Sequence, residues 1–320
     1  MSGKSNDQGR AYEFAYLNIL FEEISSTRLA KIVKNSSYFA AAKAWNTLSD
    51  SDKVIYRTSA LAGASVVFDL EPLIFEGDGE ELELRIQPDS KGKDGDARDL
   101  LITRRGVEWE IGLSVKHNHF AVKHSRLSKS LDFGDKWYGI KCSCSYWEDV
   151  YPIFEYLDCE KQKGSKWSDL INKEDEVYVP LLNAFKAEVE RQNILFGKDI
   201  PKLLVEYLLG GFDFYKVIGM DLKRLTRVQS YNLRGTLNRN GKTSGKSIDL
   251  PVSKLPTRII SLEYKPASKN TLELYFDGGW QFSFRIHNAS TKVEPSLKFD
   301  IQIVGMPTTF ISIDRRWSGV

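Results

Sequence analysis

Ten residues from Val107 to Lys116 alternate without a break. Trp109, Ile111, Leu113 and Val115 fall on one face of an extended chain, and Glu108, Glu110, Gly112, Ser114 and Lys116 on the other. A period of two sustained over that length fixes a half-buried strand. The apolar run Leu100-Leu-Ile102 precedes it across the turn residues Arg104-Arg-Gly106, so the two form a hairpin. Leu82 to Gln87 alternates in the same way, and the hydrophilic stretch from Asp89 to Asp96 reads as a loop. Helical patterns come first. Tyr12, Phe14, Ala15, Leu17, Leu20, Phe21 and Ile24 keep helical spacing within a helix expected over 9–34, entered at Gly9. Residues 38–64 predict one or two more helices, the second capped by Ser49-Asp-Ser-Asp52. Residues 146–160 and 168–196 are expected to be helical, 201–209 fit a helix start or a strand, and the chain turns β-rich from about 213. The sum is an α/β or α+β fold with a mixed sheet flanked by helices.

Composition narrows the class. The chain has 320 residues, 42% of them apolar and 28% charged, which is globular usage. Three cysteines, two of them in Cys142-Ser-Cys144, do not make a disulfide-stapled scaffold. No apolar run approaches the roughly 18 residues of a membrane span, and the polar N-terminus lacks a signal core, so a cytoplasmic, bacterial location with no membrane partner is expected. Lys+Arg total 45 against 43 Asp+Glu, a net +2, which excludes a uniformly basic coat. The charge is uneven, however. Between 216 and 270 twelve Lys/Arg face three acids, and Arg234, Arg239 and Lys242 belong to a glycine- and asparagine-rich loop suited to phosphate and base-edge contacts.

Asp99 stands immediately before the first hairpin strand, and Lys116 ends the second with Ser114 on the same face. A carboxylate at one strand mouth beside a lysine at the end of its neighbour can hold Mg²⁺ against a phosphodiester and stabilise the charge that develops during attack. This is the layout of the PD-(D/E)XK nuclease fold. In that fold Glu13, in the first helix, matches a common active-site glutamate, and the Val115 carbonyl a common extra metal ligand. Ser114 stands where the fold usually has a second acid; Glu110, Asp132 and Asp135 are weaker substitutes than Glu13, and Asp96 and Asp89 are alternatives to Asp99. The cluster His117-Asn-His119 with His124 could ligate zinc with Cys142 and Cys144, or match a His-Asn-His nuclease motif. The preferred reading is phosphate contact from His117, Asn118 and His119, followed by a basic surface helix carrying Lys123, Arg126 and Lys129.

The segments Gly9-Arg-Ala-Tyr-Glu-Phe14, Asn35-Ser-Ser-Tyr-Phe-Ala-Ala-Ala-Lys-Ala-Trp-Asn46, 109–128, Leu131-Asp-Phe-Gly-Asp-Lys-Trp-Tyr138 and 280–300 resemble, in order along nearly the whole chain, the HaeIII family of type II restriction endonucleases. The resemblance implies a Mg²⁺-dependent endodeoxyribonuclease that recognises GGCC in double-stranded DNA and leaves 5′-phosphate ends. It also implies a cognate cytosine methyltransferase acting on the same site. The site's palindrome favours a homodimer. Carried onto this chain, the catalytic set is Asp99, Lys116, Glu13 and Ser114, and the metal set Asp99, Glu13 and Val115. For DNA, Arg224, Arg227, Arg285, His287, Asn288 and Lys298 join the basic residues already named, Arg and Lys being suited to guanine O6 and N7. The expected division is a disordered tail at 1–8, a helical part and nuclease core at 9–212, and a β-rich DNA-recognition region at 213–320.

Overall fold

The computed structural model describes residues 2–76, 80–88, 95–104, 109–238 and 250–318. They form a mixed α/β structure with two sheets and, among the described residues, seven α-helices. The chain divides into two compact units, each assembled from non-contiguous segments. The first comprises 1–120, 210–253 and 308–320, and the second 121–209 and 254–307. The β-rich stretch after 213 is therefore shared between both units, and a single division at 212 does not describe the chain.

The first unit carries a mixed sheet of β1 (Ala30–Ile32), β2 (Leu82–Ile86), β3 (Leu100–Arg104), β4 (Glu110–His117), β6 (Phe214–Met220), β7 (Leu225–Tyr231) and β12 (Ser312–Arg316), in that spatial order. β3 and β4 are antiparallel, as the hairpin pattern predicts, whereas β4 pairs with β6 in parallel, Ser114 opposite Lys216 and Lys116 opposite Ile218. Three helices, α1 (Ser2–Ser25), α2 (Ser36–Asn46) and α3 (Asp50–Leu70), share a core with the sheet face of Ile111, Leu113, Val115, Tyr215 and Val217. The alternation of β4 is what supplies that face.

Two expectations shift at α1. It starts at Ser2, so residues 2–8 are helical and not a disordered tail; a single glycine at position 9 costs only about 1 kcal/mol and does not end a helix. It stops at Ser25, well short of 34, because Ser26 Oγ and Thr27 Oγ1 donate to the carbonyls of Glu23 and Ile24 and compete with the helical ladder. α2 and α3 begin where Asn35 and Ser49 cap them.

The second unit holds an antiparallel sheet in the order β5 (Ala121–Ser128), β11 (Ser296–Gly305), β10 (Gln281–His287), β9 (Thr271–Phe276) and β8 (Ile259–Tyr264). Its helices are α4 (Phe133–Tyr138), α5 (Cys144–Gln162), α6 (Val179–Phe196) and α7 (Asp199–Leu209). Residues 121–128 are thus a strand, not the basic surface helix. Buried Ala121, Ser125 and Leu127 alternate with outward side chains, and β11 pairs with them along their length. An aromatic cluster of Phe133, Trp137, Phe185, Phe284 and Phe299 fills the core, with ring centroids 5.0–6.4 Å apart.

Glu71, just past α3, is buried in the first unit and accepts hydrogen bonds from the Tyr215 hydroxyl (2.7 Å) and the Asn238 backbone N–H (2.8 Å). Burial pushes its pKa up to about 7, and those two donors only partly oppose it. The unfolded chain releases this proton near 4.5, so between there and about 7 the folded state holds more protons and stability falls as pH rises. Glu71→Gln should flatten that fall by roughly 3 kcal/mol at the upper end of the window. Urea midpoints measured across it would check this, and an unchanged slope would assign the effect elsewhere.

Candidate active site

The hairpin brings its two ends together. Lys116 Nζ donates to Asp99 Oδ2 at 2.9 Å, the Val115 backbone N–H donates to the same oxygen at 2.7 Å, and the Ser114 hydroxyl at 3.2 Å. Asp99 is placed by its own backbone, which donates to Leu113 O (2.7 Å) and accepts from Gln87 N (2.8 Å). Its other oxygen, Oδ1, has no hydrogen bond among the described residues. Lys116 is about one-third exposed and Asp99 somewhat less. Burial pulls the lysine pKa down, but the Asp99 carboxylate, its hydrogen bond and the charge of Glu13 outweigh that and hold it above the ordinary lysine value. Lys116 is therefore an ammonium at neutral pH, a donor and not a base. Glu13 reaches this site from α1, the helix packed on β4.

The alternative acids are engaged elsewhere. Asp96 binds Arg98 through both oxygens (2.8 and 2.9 Å) and accepts from Gln87. Glu110 takes the far side of the same guanidinium at 2.5 Å. Asp132 caps α4 and accepts from Cys142 N, while Asp135 is exposed. Asp89 lies outside the described residues. Cys142 is a buried thiol that accepts from Gly134 N, and burial pushes its pKa up.

His117 faces the opposite side of β4 from Lys116 and is held on three sides. Its Nε2 lies 2.8 Å from Asp221 Oδ1, and its ring packs on Tyr56 (4.3 Å) and Tyr12 (5.1 Å). Asn118, in the left-handed region at φ 52°, donates to Asp221 Oδ2 and accepts from Asp221 N. Burial raises the Asp221 pKa, but the bonds from His117 and Asn118 bring it below the ordinary value. His119 is exposed.

The remaining candidates scatter. Arg126, Arg285, His287 and Lys298 share the outward face of the second sheet, Lys298 opposite both Arg126 and His287, with Asp300 among them accepting from Arg285 at 3.3 Å. Burial lowers the pKa values of His287 and Lys298, and neighbouring cations push them the same way. Asn288 accepts from the Tyr178 hydroxyl, and Lys123 sits over the Tyr207 ring. In the first unit Arg224 is exposed at the β6–β7 turn, Arg227 is held bidentately by Asp314, and the Arg234 backbone N–H donates to Asp213. Arg239 and Lys242 lie outside the described residues.

A model of the HaeIII restriction endonuclease family matches residues 9–307. The chain is also 54% identical over 317 residues, 99% of each sequence, to the Type II restriction enzyme HaeIII of Haemophilus aegyptius. It belongs to the HaeIII restriction endonuclease family. No solved structure matches it. As a HaeIII-family protein the chain is a type II site-specific deoxyribonuclease, and its Asp99–Lys116 hairpin lies inside the matched region.

Sequence reasoning missed Asp221, Tyr12 and Tyr56 around His117, and the buried Lys216, whose Nζ donates to Phe120 O at 2.6 Å. All four depend on the parallel β4–β6 pairing or on helices packed across it, and no local pattern announces either. Arg98 was missed as well. It crosses β4 over Gly112, where a Cβ would overlap its Cδ. Because both ends of that guanidinium are pinned, Gly112→Ala should cost about 1–3 kcal/mol, read as a lower urea midpoint. An unchanged midpoint would mean that Arg98 moves aside freely.

Proposed function

We propose that this chain is the endonuclease of a restriction–modification pair, built on a PD-(D/E)XK core, that cleaves double-stranded DNA at GGCC with Mg²⁺. The observation that carries the reading is the convergence on Asp99. One carboxylate oxygen is fixed by three donors from β4, while the other has no hydrogen bond among the described residues. An all-oxygen set of Asp99, Glu13 and the Val115 carbonyl fits a hard divalent cation that keeps several waters. Bound there, Mg²⁺ would supply Lewis-acid polarisation of the phosphodiester and a lowered pKa for attacking water. The chain's own groups do the rest. Lys116, held above the ordinary lysine value beside Asp99, would orient the water and stabilise negative charge on the phosphoryl oxygens, leaving a 5′-phosphate and a 3′-hydroxyl. Ser114 holds Asp99 through its hydroxyl, which gives the non-acidic residue at this position a positioning role.

The β-rich region after 213, with Arg126 on the strand that pairs with it, would bind DNA: Arg126, Arg285, His287 and Lys298 as contacts on the second sheet, and Arg224, Arg234 and the basic residues after it from the first unit's segments. GGCC reads the same on both strands, so two copies of the chain would place one centre on each. A cytosine methyltransferase of the same specificity would protect the host, which places the pair in the bacterial cytoplasm. Among the described residues no helix is long and apolar enough to cross a membrane.

Lys116→Ala should keep duplex binding within a few-fold but lower cleavage by at least about 10²-fold, the cost typical of removing one charge-stabilising donor. Incubating plasmid with the wild type in Mg²⁺ or EDTA, then sequencing the fragment ends, tests the rest. Discrete metal-dependent ends within GGCC support the reading. Binding without cleavage, or ends at another sequence, overturns it.

A further inference from the structure

Between β6 and β7 the chain turns through Asp221, Leu222, Lys223 and Arg224. Leu222, at the apex, is completely exposed. Single exposed apolar side chains are ordinary, but three observations set this one apart. The turn is braced. Both Asp221 carboxylate oxygens engage His117 and Asn118, and its N–H donates to Asn118 Oδ1. Arg224 N donates to Asp221 O, and Trp317 N to Arg224 O. Arg224 adopts a left-handed φ of 46° that non-glycine residues rarely hold without support. The turn is also cationic. Lys223 and Arg224 are exposed, and their side chains make no hydrogen bond or ion pair among the described residues, while the turn's one acid is taken up internally. Finally, the turn is tied to the candidate centre. His117 follows Lys116, and β4 and β6 end side by side, the carboxyl edge at which parallel strands characteristically present ligand sites.

We propose that this turn is a DNA-contacting finger: Leu222 enters a groove of the duplex beside the cleaved bond, and Lys223 and Arg224 neutralise phosphates on either side of it. The proposal rests on the nuclease reading above and adds to it an apolar contact that no basic segment supplies. A rigid support matters here, because a leucine that must slip between sugars or against base edges gains little if the turn has to be ordered on binding.

Anisotropy titrations of a GGCC duplex, with Ca²⁺ in place of Mg²⁺, test it over about 50 to 200 mM KCl. Lys223→Ala and Arg224→Asn should each reduce the slope of log K against log salt by about one; asparagine tolerates the left-handed backbone. Leu222→Ala should weaken binding roughly tenfold with the slope unchanged, since the lost contact is apolar. Leu222→Met should restore it. If all three truncations match the wild type in affinity and slope while the wild type cuts DNA, the finger is overturned and the nuclease reading stands. A wild type that binds no duplex overturns both.

Discussion

A single carboxylate oxygen organises the centre. Asp99 Oδ2 receives an ammonium, a backbone amide and a hydroxyl from three consecutive residues of β4. That is possible because β3 and β4 are antiparallel neighbours and Asp99 sits one residue before their pairing begins. The geometry fixes the carboxylate on a rigid sheet edge, and the opposing charges keep Lys116 protonated in spite of its burial. Neighbouring elements of the first unit add to these contacts. α1 supplies Glu13 and the Tyr12 ring, α3 supplies Tyr56, and Asp221 fixes His117 against both rings.

The hairpin was legible because its information is local. Alternation from Val107 to Lys116 sets which side chains share a face, whereas the register that brings Asp99 beside Ser114 and Lys116 is set by the strand pairing itself. The surroundings of His117 were not legible, because they come from α1, α3 and the end of β6, which residues 121–209 of the other unit separate from β4 along the chain. Asp221 reads in the sequence as one acid among many cations, and only the parallel pairing places it on His117. The strand at 121–128 was misread for a related reason. Lys123, Arg126 and Lys129 are spaced as on a helix, but the burial of Ser125 and Leu127 against β11 decides the matter, and β11 lies far along the chain. Tertiary pairing outweighed local spacing there.

The basic segment of the sequence also resolves into unlike groups. Arg227 is neutralised by Asp314 on the sheet surface, and Lys216 is buried on a backbone carbonyl. Counting charges along the chain therefore overstates the cations available to an anion. Lys223 and Arg224, at the braced turn, are by contrast exposed with no ion pair among the described residues.

The interleaving of the two units has a consequence for how the enzyme is made. β4 emerges from the ribosome early, yet its parallel partner β6 follows all of residues 121–209, and β12, which closes the far edge of the same sheet, comes only after 254–307. Such distant pairings form late and slowly. A nascent chain thus carries Asp99 and Lys116 well before β6 and β12 are there to complete the sheet around them.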